Sequence, residues 1–170
     1  MKKIYLDTNI FVALLAKGKS VETDNRKIVK NALKIFSKFG NVRLLTSIWT
    51  ITEMAKALIN QKKMSNKIVA SIVNEVVSTN KLAEFEVEIL EVHPKKGYGF
   101  NNFFDDVREK MILYNPGWGD AIHSVIMKNN NINEILTLDG KKDFKIIPGI
   151  IVVDPKDIVL SNNVISKGNH

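Results

Sequence analysis

Cysteine is absent from the 170 residues. No disulfide can staple the fold, and no thiolate can hold zinc. Long apolar runs are missing too, and no uncharged stretch is long enough to span a bilayer. The apolar run after Met1-Lys2-Lys3 breaks at Asp7, too early for the core of a secretory signal. These absences predict a soluble, cytoplasmic protein with no membrane segment. Histidine is scarce: His93, His123 and His170 are the three present, and they suggest no catalytic triad. No stretch rich in Pro, Gly or Ser divides the chain, and no internal repeat is visible.

What is there suits one compact domain. Hydrophobic residues make up 45%, enough for a sizeable core. The reading places a single domain over 1–160 and a polar, frayed tail over 161–170. Lys and Arg total 25 against 18 Asp and Glu, a formal net charge of +7. Such a surface favours polyanions such as RNA or DNA. A merely Lys- and Asn-rich solvated surface would give the same number.

Apolar periodicity predicts alternating elements. Strands are expected at 3–6, 42–46, 85–92, 134–138 and 150–153. Helices are expected at 8–16, 24–39, 47–60, 65–79, 101–114 and 118–129. Asp24 is read as an N-cap, Gly40 as a helix stop, and Ser47 as the cap of the helix after the second strand. Short, continuously apolar strands alternating with helices imply a parallel sheet covered on both faces. In such sheets ligands bind beyond the carboxyl ends of the strands, where strand order reverses.

Four acids map to that edge. Asp7 ends the first strand in "YLDTN", and Asp139 ends the fourth in "ILTLD". Glu53 lies about two turns into the helix after strand two, and Asp120 opens the helix before strand four. Each has a plain structural reading alone. Asp7 suits an N-cap, Asp120 a first-turn acid favoured by the helix dipole, Asp139 a turn residue, and Glu53 a solvated helix position. Together, carboxylates that converge repel unless a cation intervenes. Hard Mg²⁺ or Mn²⁺ prefers oxygen ligands. Two such ions about 4 Å apart suit displacement at phosphorus. Asn9 and Thr137 are candidates to hydrogen-bond and aim the ligating carboxylates; the alternatives are a local turn role for Asn9 and simple strand preference for Thr137.

The segments "YLDTNIFVALL", "TSIWTITEMAKAL", "GDAIHSVIMKNN" and "ILTLDGKKDF" resemble, in order, the PIN-domain ribonucleases, especially the VapC-like toxins of prokaryotic toxin–antitoxin pairs. The resemblance implies a three-layer α/β/α sandwich with a central parallel sheet. It implies a Mg²⁺- or Mn²⁺-dependent endoribonuclease whose acids are Asp7, Glu53, Asp120 and Asp139, with Asn9 and Thr137 as polar helpers. It also brings an RNA substrate, a possible small antitoxin, and a homodimer. Two features depart from the family. In "DGKKDF" three residues separate Asp139 from Asp143, where the family often has one, so Asp143 competes as the fourth acid. "HPKKGYGFNNFF" makes a long connection whose rings at Tyr98, Phe100, Phe103 and Phe104 suit a substrate- or partner-facing flap; the alternative puts Phe103 and Phe104 in the core. Lys95, Lys96, Lys141 and Lys142 are candidates to contact an RNA backbone.

Rival readings fit less well. A haloacid dehalogenase-type phosphatase needs Asp-x-Asp after strand one, and Asn9 stands at the second position. A receiver domain needs an acidic pair there and an Asp after strand three, where this chain reads "VHPKK". An RNA-processing nuclease with no antitoxin, or a PIN module that only binds RNA or protein, remain the alternatives.

Overall fold

A computed structural model describes residues 1–16, 20–90, 97–139 and 144–167. Five parallel strands form the central sheet: β1 (Lys2–Leu6), β2 (Val42–Ser47), β5 (Glu88–Leu90), β6 (Glu134–Leu136) and β7 (Ile151–Val153), in the order β5-β2-β1-β6-β7. The chain builds outward from β1 in one direction, then returns to its other side at β6. β1 and β6 are therefore the point where strand order reverses, and their register pairs Leu6 with Leu136. The ladder runs on to Asp7, whose N–H donates to Leu136 O at 3.1 Å.

Side chains alternate across a strand, and β1 shows what this does. Ile4 and Leu6 enter one apolar cluster with Ile10, Phe11, Leu33, Ile51 and Leu58. These come from α1 (Thr8–Leu15), α2 (Ser20–Phe39) and α3 (Ile48–Asn60). Tyr5 points to the opposite cluster with Phe103, Val107, Ile122, Val125 and Ile126. Those belong to α5 (Phe100–Tyr114) and α6 (Trp118–Asn129). Helices thus cover both faces, as the sequence predicts. α4 (Asn66–Thr79) packs against α3, and α7 (Pro155–Lys167) against α2.

Punctuation residues behave as read in several places. Ser47 caps α3, accepting from Thr50 N, and Gly40 takes φ +65° beyond α2. Two readings need correction. α2 begins at Ser20, so Asp24 lies inside the helix rather than capping it; no breaker in Val21-Glu22-Thr23 stops the helix from starting earlier. The expected strand over 85–92 divides into a small hairpin, β3 (Lys81–Leu82) with β4 (Phe85–Glu86), followed by β5. The hairpin forms because Leu82, Phe85 and Val87 all bury in one cluster. At the C-terminal end α7 runs from Pro155 to Lys167. No described helix is long and apolar enough to cross a membrane.

Candidate active site

Asp7 sits at the junction of β1 and α1 and is only 7% exposed. Its Oδ1 accepts from Thr8 N at 2.6 Å, so it does cap α1. Its Oδ2 accepts from Asn9 Nδ2 at 2.8 Å and from Thr137 Oγ1 at 2.7 Å. A carboxylate oxygen has about two acceptor positions. By the bonds among described residues, Oδ2 is filled and Oδ1 keeps capacity for a cation. The capping role and the site role therefore use different lone pairs of one side chain.

Asn9 ties the two strand ends together. Its Nδ2 also reaches Thr137 Oγ1 at 2.8 Å and Asp139 Oδ2 at 3.0 Å, while its Oδ1 accepts from Leu138 N at 3.0 Å. Asp139 N donates to Thr137 Oγ1 at 3.2 Å. Asp7, Asn9, Thr137 and Asp139 thus form one network across the β1–β6 boundary. Asp139 lies at its exposed rim and Asp7 at its buried end.

Glu53 joins from α3. Its Oε2 accepts from Thr8 Oγ1 at 2.8 Å and lies 2.8 Å from His123 Nε2. His123 Nε2 also stands 3.9 Å from Asp7 Oδ1. An ionised carboxylate only accepts, so Nε2 carries the proton of that bond. Nδ1 lies 3.0 Å from Tyr5 OH, which in turn meets Ser47 Oγ at 2.6 Å and Thr50 Oγ1 at 2.8 Å. A buried chain of polar groups therefore runs from the foot of α3 through Tyr5 and His123 to Glu53. Burial holds the Tyr5 hydroxyl well above the ordinary phenol value, so it stays protonated as a donor.

Asp120 occupies the first turn of α6, one turn before His123 on the same helix face. Its carboxylate turns back towards Gly117, where an added Cβ would come 3.1 Å from Oδ2. At Gly119 an added Cβ would come 2.7 Å from Glu53 Oε1. The start of α6 thus abuts Glu53 through Gly119, and Asp120 is the next residue along the helix. Its first-turn position is one the helix dipole favours.

The electrostatics of these acids diverge. Burial raises Asp7 above the usual carboxylate range and nearby Asp139 adds to this; His123 and the Thr137 hydrogen bond oppose it only in part. Burial also pushes Glu53 upward, but the hydrogen bond and charge of His123, with the Thr8 hydroxyl, win and hold it below the usual value. Among the described residues no three His, Cys, Asp or Glu side chains already form a metal-holding group. The donor set nevertheless fits a hard divalent cation: every carboxylate offers oxygen, Asp7 keeps an acceptor position, and its ionised form is strained for want of positive charge.

His123, Thr8, Tyr5 and Gly119 are absent from the sequence-predicted set. The available signal was the three-residue spacing from Asp120 to His123, which places both on one helix face. The predicted residues Lys95, Lys96, Lys141, Lys142 and Asp143 lie outside the described residues, as do His93 and His170. Of the suggested flap rings, Phe103 is buried and Phe104 half-buried, while Phe100 is exposed. Tyr98 donates to Asp106 Oδ2 at 2.6 Å.

Residues 4–149 match the family model described as PIN domain. The chain belongs to the PIN-domain family. Solved structures agree on the fold at low identity. VapC20 of Mycobacterium tuberculosis, described as a sarcin–ricin loop cleaving toxin, superposes with TM-score 0.56 at 14% identity, over 84% of this chain and 92% of that one. VapBC2 of Rickettsia felis, bound to a DNA fragment from its promoter, gives 0.59 at 17%, over 89% and 98%. A toxin–antitoxin complex from Klebsiella pneumoniae gives 0.54 at 19%, over 89% and 97%. Among curated protein sequences none matches. In this PIN domain, a three-layer α/β/α sandwich, Asp7 directly follows β1 and Asp139 follows β6, both at the carboxyl edge of the sheet.

Proposed function

We propose that this PIN domain is a divalent-metal-dependent endoribonuclease of the cytoplasm, the toxin of a toxin–antitoxin pair. The observation that carries the reading is the joining of Asp7 to Asp139 through Asn9 and Thr137 at the strand-order reversal, with Glu53 beside them. Asp7 and Asp139 hold Mg²⁺ or Mn²⁺, with Asp120 and Glu53 completing the acidic site. The ion, when bound, supplies water activation and charge neutralisation at a phosphodiester.

The chain's own groups do the rest. Asn9 and Thr137 fix the direction of Asp7 through its Oδ2, which leaves acceptor capacity on Oδ1. His123 and Thr8 hold Glu53 ionised, as an acceptor for a water or a ligand of the ion. Lys95, Lys96, Lys141 and Lys142 contact the RNA backbone, in keeping with the net charge of +7. The toxin assignment is supported by the toxin and toxin–antitoxin structures that share the fold. An acidic-groove partner and a homodimer follow from the same kinship.

The test is cleavage of structured RNA with Mg²⁺, with Mn²⁺ and with chelator, by wild type and Asp7→Asn. Wild type should cleave only with metal, and Asp7→Asn should not cleave. Mn²⁺ should also raise the melting temperature of wild type. A fully active Asp7→Asn protein would end the proposal.

A further inference from the structure

Of the rings that the sequence places on the connection before α5, Phe100 is exposed, and Trp118 joins it from α6. Trp118, the first residue of α6, is 46% exposed, and Phe100, the first residue of α5, is 64% exposed. Both meet Phe104. The Trp118 and Phe104 rings stack with centroids 5.9 Å apart and planes 24° apart. Phe100 meets Phe104 edge-on at 4.5 Å, and Phe104 meets buried Phe103 edge-on at 5.8 Å. The exposed pair is therefore backed by a ring anchored in the core.

Its location ties it to the acids. Trp118 directly precedes Gly119, whose α-carbon packs against Glu53, and lies two residues from Asp120. A strand whose phosphodiester lies among the acids has Trp118 within one residue of the Gly119–Glu53 contact. Aromatic faces stack on any nucleobase, and a ring already held in place loses little entropy in doing so. Sequence-specific and loop-directed RNA recognition relies on unpaired bases stacked on such rings. The net charge of +7 favours a polyanion over an acidic-site competitor of like sign.

We infer that Trp118, flanked by Phe100 and backed by Phe104, is a stacking platform for an unpaired nucleobase of the RNA next to the cleaved bond. The inference rests on the nuclease reading above and deepens it: the substrate is single-stranded or looped at this point rather than a continuous duplex.

The test is binding in chelator, where cleavage is off. The probes are a short single-stranded oligoadenylate and an abasic strand with the same number of phosphates. Oligoadenylate should quench tryptophan emission in wild type but not in Trp118→Phe, which keeps Trp49. The abasic strand should quench neither. Trp118→Ala should bind oligoadenylate about tenfold more weakly. Trp118→Phe should restore most of that loss, and abasic binding should be the same in all three proteins. Equal quenching by both strands, unchanged affinity in Trp118→Ala, or Trp118 emission that instead tracks protein concentration through burial against a second copy would each overturn the platform. Metal-dependent cleavage without base-dependent quenching rejects the platform and leaves the nuclease reading intact. Base-dependent quenching without cleavage supports the platform and rejects the nuclease.

Discussion

His123 Nε2 lies 2.8 Å from Glu53 Oε2, so a histidine carried by α6 holds an acid delivered by α3. The pair is buried on the histidine side, where His123 is 2% exposed, and its other nitrogen rests on Tyr5. Replacing His123 by Phe keeps an aromatic ring, slightly larger than imidazole, but leaves Glu53 and the Tyr5 hydroxyl each one partner short. Destabilisation of about 2–3 kcal/mol is expected, read as a lower urea midpoint at neutral pH. The pH dependence follows from the depressed Glu53 pKa. A depressed carboxyl stabilises the fold above its unfolded pKa of about 4.3, and that stabilisation is lost as pH falls through the lower folded value. His123→Phe should erase this acid-side loss.

Asp7 has the opposite sign. Its folded pKa is raised, so between the unfolded value of about 3.9 and the higher folded one the native state binds more protons. In chelator, wild type should gain stability as pH falls from neutral through that window. Asp7→Asn should lack the gain. Urea titrations of both proteins at stepped pH decide it, and parallel curves would contradict the burial-driven shift.

Asn9→Ala removes the amide that serves Asp7, Thr137 and Asp139 and the acceptor for Leu138 N. Stability should fall by about 2–3 kcal/mol. Cleavage should fall roughly 10–100-fold, as for other losses of groups that aim metal ligands. Activity that recovers at raised Mn²⁺ would locate the defect in ion binding.

Gly119→Ala separates folding from function. The new methyl meets only the flexible end of Glu53, at 2.7 Å from Oε1, so the backbone need not move. Alanine in a helix gains up to about 1 kcal/mol over glycine, which offsets the crowding. The melting temperature should fall modestly, since a displaced Glu53 loosens its bonds to His123 and Thr8, while cleavage falls on the order of a hundredfold. Loss of fold instead of activity would mean that α6 and α3 cannot yield there.

Ala83 in the β3–β4 hairpin takes φ +54° and is exposed. A left-handed alanine costs roughly 1 kcal/mol, so Ala83→Gly should stabilise the domain by about 0.5 kcal/mol despite the added freedom of the unfolded chain. Thermal melting away from the active site provides a clean reading.

The elements that set the sheet were legible because their signals are local. The apolar blocks of β1, β2 and β6 alternate with amphipathic helices, and Ser47 and Gly40 mark helix ends by their own chemistry. Asp7 stood out because a carboxylate ending a buried strand is out of place unless something uses it, and the nearness of Asp139 followed from the parallel pairing of β1 with β6. The hairpin at 81–86 was not, because its turn is an Ala-Glu pair with none of the usual turn residues. His123 was hidden for a different reason. A lone histidine within "DAIHSVIM" reads as core, and indeed it is buried; only the arrival of Glu53 from 70 residues away gives its nitrogen a task.

The bond between Thr137 and Asp7 spans 130 positions of the chain. During synthesis the first acid leaves the ribosome long before β6 exists to meet it. A nascent or truncated chain that lacks β6 has Asp7 without Thr137 or Asp139, and so has no assembled site. The network that joins the two strand ends therefore closes only once β6 has been made and has paired with β1.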